Sequence, residues 1–350
     1  MNPFEYLKPS DARAALEGIA MPTPSNAWQT PPRFVAGGTN LLDLMKENVV
    51  RPSRLVDINR AVSDKVEPMP DGSVRLGAAA RNADTAYHAV VSTQLPLLAS
   101  AILAGASPQI RNMASNGGNL LQRTRCVYFY DAGVPCNKRA PGSGCPAREG
   151  LARQHAVLGA SPHCIAVHPS DMCVALAALE ATVHVRSLRG ERDIAFADFH
   201  TLPGDTPDID SSLAADELIE HITIPPSGQY AAHSIYLKLR ERQSYAFALV
   251  SVAAALDLDG DGRIRSARLA LGGVAHKPWR DLSAEGLMTG HKPHTDLFEE
   301  VASTVLRSAQ PQGVGAGNNA FKIPMARRAV VRALETAALG TVTNTGDNVR

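Results

Sequence analysis

Apolar residues recur at helical spacing from Asp11 to Ile19 and from Leu41 to Glu47. Between them Arg33 to Ala36 is extended, and Arg54-Leu55-Val56-Asp57-Ile58 reads as a strand. Residues 1–58 therefore read as a small α/β unit. A hairpin opens the next stretch, because Asp71-Gly72 turns between two short alternating runs, the second of them Ser73 to Gly77. Helical spacing follows at Asn82 to Ser92 and Leu95 to Ala104, and Met172 to Leu176 is an apolar helical run. Pro225-Pro226-Ser227-Gly228 has the composition of a linker. Beyond it Ser234 to Arg240, Phe247 to Leu258 and Ile264 to Gly272 alternate like strands of a sheet, and helical spacing returns at Asp296 to Arg307 and Ala326 to Ala338. The pattern divides the chain into 1–58, 59–226 and 229–338, with 339–350 a polar tail expected to fray.

One segment has neither period. From about 122 to 166 the chain is rich in Pro, Gly and Arg, and it reads as an ordered insertion that needs a staple of some kind. Composition narrows the partners. The 350 residues are 45% hydrophobic and 20% charged, enough to bury a real core. Thirty-five Lys+Arg against 34 Asp+Glu leave a formal charge of +1, too balanced for a protein that neutralises nucleic-acid phosphates. The apolar run Leu176 to Val185 is cut by Glu180 and His184, short of the roughly 20 apolar residues of a membrane span. Met1 to Tyr6 has neither the basic nor the apolar region of a secretory signal, so no export signal of its own is expected.

Two glycine pairs are candidate ligand sites. Arg33-Phe34-Val35-Ala36-Gly37-Gly38-Thr39-Asn40-Leu41 is a strand that runs through two glycines into a helix, where backbone N–H groups can close on an anion. The plainer reading is a tight turn capped by Thr39 or Asn40. A second pair lies in Ile110 to Leu120, with Arg111, Ala114, Ser115, Gly117, Gly118 and Asn119. Two such loops are expected to clasp one diphosphate, small residues allowing close approach. Neither has the Gly-x-Gly-x-x-Gly order of the Rossmann fingerprint.

Cys126, Cys136, Cys145 and Cys164 have nine, eight and eighteen residues between successive members, with no pair at the two-to-four spacing of zinc ribbons. A [4Fe–4S] cluster tolerates wider spacing, and Arg123, Arg125, Lys138, Arg139, Arg148 and Arg153 are expected to offset its charge. Disulfides or unpaired loop thiols remain open. Cys173, in the apolar Met172 to Leu176, reads as a core residue, and His155 and His163, which flank the cysteines, read as surface histidines with a metal-ligand role as the alternative. His168-Pro169-Ser170-Asp171 reads as a turn and helix cap. Asp257 to Gly262 has the start of a calcium loop but carries Arg268 where a bidentate Glu is needed, so a hairpin turn is expected.

Taken together, Phe34 to Leu41, Gln109 to Asn119 and Ala270-Leu271-Gly272-Gly273-Val274-Ala275 resemble the FAD-binding medium subunits of the molybdenum hydroxylases, the xanthine dehydrogenase and carbon monoxide dehydrogenase group. Gln122 to Asp131 and Pro141 to Cys145 resemble the insertion of the iron–sulphur-containing flavin subunits of periplasmic aldehyde oxidoreductases. The resemblance implies an α+β chain: a two-subdomain, PCMH-type FAD-binding fold, then a C-terminal α+β domain of the CO dehydrogenase flavoprotein type. It implies FAD contacts at Arg33 to Leu41, Arg111 and Ala114 to Asn119. Asp171 falls near the ribityl chain, and Lys238 is one further match. Thr39-Asn40 stands where the family has Thr-Asp, an isosteric change.

By the same resemblance the four cysteines ligate a [4Fe–4S] cluster, and no residue of this chain is catalytic. The implied assembly is a heterotrimer that oxidises aldehydes, aromatic ones especially. Its large subunit holds the molybdenum cofactor, and a small subunit with two [2Fe–2S] clusters feeds electrons to this chain's FAD. Periplasmic location, by export folded onto a signal-bearing partner, is the expectation that goes with it, cytoplasm being the alternative. The alternatives in function are the flavin subunit of another molybdenum hydroxylase, a stand-alone flavin reductase, and a non-catalytic iron–sulphur scaffold.

Overall fold

The computed structural model describes residues 1–22 and 29–341, so the tail expected to fray lies outside the described residues from 342 onward. Three sheets follow one another along the chain. The first is parallel and holds β1 (Glu5–Leu7), β2 (Arg33–Val35) and β3 (Arg54–Asp57) in the order β1-β3-β2. Parallel neighbours need crossovers, and the helices Ala12–Ala20 and Leu41–Lys46 lie in the two connecting stretches. Asp11 starts the first of them by accepting the Ala14 N–H at 2.9 Å, and β3 is buried at all four positions, as a covered parallel strand should be.

The second sheet is antiparallel: β4 (Val66–Pro68), β5 (Val74–Gly77), β6 (Thr182–Ser187), β7 (Gly190–Ala195) and β8 (Leu218–Ile224), ordered β4-β5-β8-β6-β7. Gly72, at φ 84°, makes the expected turn before β5. The helix expected over Asn82 to Ser92 is two helices, Asn82–Tyr87 and Ala89–Gln94. His88 between them is extended at φ −63° and ψ 133°, and its Nδ1 accepts the Val90 N–H to start the second. The strands β6, β7 and β8 had no counterpart in the pattern. β6 follows the apolar helix Asp171–Ala178 with only Leu179 to Ala181 between, and the break rests on Glu180 at φ 55°.

The third sheet is antiparallel, β9 (Ser234–Leu239), β10 (Val250–Leu258), β11 (Ile264–Gly272) and β12 (Trp279–Arg280) in the order β12-β11-β10-β9. The would-be calcium loop is a hairpin turn, since the Asp259 carboxylate accepts the N–H groups of Asp261 and Arg263 at 2.9 Å each. Helix Lys322–Leu339 begins four residues before Ala326, because Pro324 falls in its first turn, where the missing N–H costs nothing.

β10 is buried on both faces and differs between them. Val250, Val252 and Leu256 pack with the helices Thr295–Val305 and Lys322–Leu339. Ala253 and Ala255, with Ala270 of β11, join the core around the helices Pro96–Ala104 and Asp171–Ala178. Small side chains there let the third sheet approach those helices closely, and Tyr236 and Lys238, which pair with Ala253 and Ser251, ride on the same face toward Asp171.

Candidate functional site

A cavity of about 820 Å³ opens between the first sheet, the helices of the second unit and the loop between β9 and β10. That volume lies in the range of small-molecule and cofactor pockets. Every residue expected to touch a flavin lines it except Lys238 and the fully buried Asn116: Arg33 to Leu41, Arg111, Ala114, Ser115, Gly117, Gly118, Asn119 and Asp171.

The two glycine loops meet but do different work. Among the described residues, the N–H groups of Gly37, Gly38, Thr39 and Asn40 donate to no acceptor, and they stand at the start of the helix Leu41–Lys46. Four unspent amides in one turn make a ready anion cradle. The second loop has spent most of its own. Asn116 N–H goes to Ala80 O and Gly117 N–H to Ala78 O at 2.9 Å each, Gly118 N–H to Ser115 Oγ at 3.2 Å and Asn119 N–H to Ser115 O at 2.8 Å. The expected clasp by the amides of both loops is thus corrected: the first loop offers amides, and the second serves as a wall tied to the residues after β5.

Gly37 sets the contact between them, since a Cβ there would stand 1.8 Å from Met113 O. Two side chains the pattern missed bracket the junction. Arg81 donates to Met113 O at 2.8 Å and to Asn59 Oδ1 at 2.9 Å, and Asn59 donates to Ala36 O at 3.1 Å. Arg33 and Arg123 both line the cavity, and burial, then the like charge of Arg123, pushes the Arg33 guanidinium below its usual value. An anion between them would relieve that repulsion.

Asn40 and Asn119 are hubs rather than open donors. Asn40 Oδ1 accepts the Arg123 N–H at 2.9 Å, while Asn119 donates to Asn82 Oδ1 at 2.7 Å and accepts from Ser170 Oγ. Asp171 reaches the cavity with both oxygens engaged, accepting from Tyr236 Oη at 2.6 Å and from Lys238 Nζ at 2.8 Å. Lys238 donates also to Ala104 O at 3.0 Å and does not line the cavity, so its expected place against the ligand is corrected to one behind Asp171. Tyr245 and Phe247, exposed aromatics on the loop before β10, also line it, and Phe247 lies ahead of the strand that the alternation had it open.

No disulfide joins the four clustered cysteines, and they line one small space with Phe129, Lys138 and His155. Burial pushes the Cys126 thiol up to about 12 and Cys164 to about 11, and raises Cys145 as well. Each stays protonated at neutral pH unless a cation takes the proton's place. His155 Nε2 lies 3.1 Å from Cys126 Sγ. It and His163 line this space, and His155 is buried rather than at the surface.

The basic residues expected to face a cluster all have other partners, Arg139 and Arg148 within the loop and the rest beyond it, and of the six only Lys138 lines the cysteine space. Arg139 donates to the carbonyls of Tyr128, Phe129 and Val134, Arg148 to Pro162 O at 2.8 Å, and Arg153 to Glu241 at 2.7 Å. Arg125 bonds Tyr130 and Asp43, and Arg123 and Lys138 share Asp210. Burial works against the Asp210 carboxylate, yet the charges of Arg123 and Lys138 hold its pKa at about 2. A depressed carboxylate stabilises the fold above about pH 4, and that stability is lost as the pH falls toward 2. Asp210→Asn should therefore cost about 1 kcal/mol at neutral pH, after allowance for water at its open edge. Denaturant melts of the two proteins should converge at pH 2 to 3, and a gap unchanged at that pH would refute the pairing.

Two family models cover the chain: the FAD binding domain in molybdopterin dehydrogenase over residues 2–227, and the CO dehydrogenase flavoprotein C-terminal domain over residues 235–337. The chain is 48% identical over 306 residues to the aldehyde oxidoreductase FAD-binding subunit PaoB of Escherichia coli K12, covering 87% of this chain and 91% of that one. It is 29% identical over 310 residues to the glyceraldehyde dehydrogenase medium chain of Sulfolobus acidocaldarius, covering 89% and 90%. Among solved structures it superposes with a TM-score of 0.72 on a chain of carbon monoxide dehydrogenase from Hydrogenophaga pseudoflava, at 23% identity over 96% of this chain and 98% of that one. With quinoline 2-oxidoreductase from Pseudomonas putida 86 the TM-score is 0.70 at 22% identity, covering 97% and 98%.

Proposed function

The chain belongs to the FAD-binding medium subunits of the molybdenum hydroxylases and is a subunit of an oxidoreductase, and from that premise we propose that it is the FAD- and [4Fe–4S]-containing electron-transfer subunit of a heterotrimeric, molybdenum-dependent aldehyde oxidoreductase. The observation that carries the flavin part is the turn of four unspent amides at the edge of a cofactor-sized cavity. The 48% identity to an aldehyde oxidoreductase subunit supports the aldehyde as substrate class. Aldehyde oxidation itself falls to a molybdenum-bearing large subunit, and a small [2Fe–2S] subunit delivers the electrons.

In this reading Gly37 to Asn40 hold the diphosphate, with Arg33 and Arg123 adding charge. Asp171, fixed by Tyr236 and Lys238, accepts a hydrogen bond from the ribityl chain. FAD, when bound, supplies the exchange between one-electron donors and a two-electron acceptor; the protein sets its position and surroundings.

The donor set also fits an iron–sulphur cluster better than a single ion. Zn²⁺ with bonds of about 2.3 Å would draw four sulfurs to about 3.8 Å apart. Among the described residues no three of these sulfurs come within 4.8 Å of one another, although all four face one space. Cys126, Cys136, Cys145 and Cys164 would hold the cluster, with His155 directing a ring N–H at the Cys126 sulfur.

The test is co-expression with the large and small subunits, followed by a visible spectrum and cofactor analysis of this subunit. Flavin peaks over a broad iron–sulphur shoulder, in a heteromer, are expected. Flavin without iron would favour a stand-alone reductase, iron without flavin a scaffold, and aldehyde turnover by the isolated chain would overturn the assignment.

A further inference from the structure

His168, Cys173 and His200 come from three separate places: the loop before the helix Asp171–Ala178, the first turn of that helix, and the residue ending the helix Phe196–Phe199. The fold nevertheless brings one donor atom from each to within 4.8 Å of the other two. The two imidazoles lie side by side, tilted by 49°, with ring centroids 4.2 Å apart. Among the described residues, His168 Nε2 and His200 Nδ1 are buried without a hydrogen-bond partner, and Cys173 is fully buried. His200 is only 3% exposed, and its other nitrogen donates to Leu120 O at 2.8 Å. That bond fixes the tautomer that leaves a lone pair on Nδ1, which is the arrangement of a metal-ligating histidine held by a backbone carbonyl. A buried polar atom left unpaired in an apolar setting is costly, and two of them beside one thiol form a recurring cost with a single remedy.

We propose that His168, Cys173 and His200 form a second metal site, independent of the four clustered cysteines, that takes one zinc-like d¹⁰ divalent cation. Two imidazoles and one thiolate suit Zn²⁺, whereas hard cations prefer oxygen. On binding, a bond forms from Cys173 Sγ to the metal and the thiol proton passes to solvent. His168 ligates through Nε2 as its Nδ1–H tautomer, giving up an approach to the Ser170 N–H that is already long at 3.4 Å. The fourth position is filled by water from the cleft of about 190 Å³ that His168, Ser170 and Asp171 line. The ion ties together the loop that caps the helix carrying Asp171 and the chain after β7, so its effect is to hold one wall of the large cavity.

The experiment loads the full-length chain, with its partners if it is purified as a complex, with Zn²⁺ or Co²⁺, removes the excess, and measures zinc, cobalt and iron separately. About one zinc per chain should be retained in addition to any iron, and Co²⁺ should give a thiolate-to-cobalt charge-transfer band. Cys173→Ser should lose that band, and His200→Gln and Cys173→Ser should each weaken retention by about tenfold or more, while iron content stays at the parent value. The unmutated chain should melt higher with Zn²⁺ and return on mild chelation that leaves iron in place, which keeps the test alive if a variant fails to fold. No zinc retained by the parent chain, or a cobalt spectrum unchanged by Cys173→Ser, would overturn the site. Because the readouts are zinc and cobalt rather than iron or flavin, loss of this site and loss of the iron–sulphur reading are separate outcomes.

Discussion

Cys136→Ser should be purified with most of its iron and acid-labile sulphide missing, and with its insertion loosened. The serine oxygen is a poor ligand for iron, and a loop with so little core of its own depends on the metal for order. The Cys126, Cys145 and Cys164 variants should behave alike, and Cys173→Ser should keep its iron at a modest packing cost. The loss should be felt beyond the insertion. Cys136 packs in one apolar cluster with Phe129 and with Leu44, which sits on the helix that starts at the first glycine loop. A fall in flavin content smaller than the fall in iron is therefore expected in the same variant. Iron and sulphide analysis with low-temperature EPR of the reduced protein decides it: full iron in Cys136→Ser, or iron loss confined to Cys173→Ser, would show the ligands to be wrongly assigned.

Gly37→Val should give a flavin-free or unstable chain. The Cβ alone would sit 1.8 Å from Met113 O and 2.6 Å from its carbonyl carbon, both backbone atoms that cannot swing aside. The loops must separate by more than 1 Å to admit it, which opens the cradle and strains the Asn59 and Arg81 bracket. The cost is of order 3 kcal/mol from overpacking, on top of the lost site. Gly117→Ala should be far milder, because its Cβ would come no closer than 3.1 Å to the Ala78 Cβ and 3.4 Å to Ala78 O. Flavin per chain and thermal melting measure both, and a Gly37→Val protein with the parent's flavin content would sink the assignment of the diphosphate to this junction.

These two variants mark where reading the chain succeeds and where it stops. Doubled glycines stand out in any reading, and both loops do line the cavity. What separates them is whether their amides are already used. That depends on Ala78 and Ala80, which approach the second loop from 39 and 36 positions up the chain and leave no mark within it. The same holds for charge. Arg139 and Arg148 were legible as a basic loop around cysteines, but carbonyl groups of the loop itself claim them before any cluster does. Lys238 sits beside Asp171 only because β9 and β10 pair in one register over a face of alanines.

The sequence by itself determined the elements whose signals are local. The helix Ala12–Ala20, the Asp-Gly turns, the strand β11 to the residue, the cysteine set and the family resemblance all follow from spacing and residue type. Tertiary structure alone decided the strands β6 to β8. There the apolar run passes from helix to strand within three residues, and period cannot divide it. It alone decided the break at His88 and the meeting of His168, Cys173 and His200. The physical reason is common to all of these. Period and capping are written in neighbouring residues, whereas the satisfaction of a buried hydrogen-bonding group is settled by whatever distant segment packs against it.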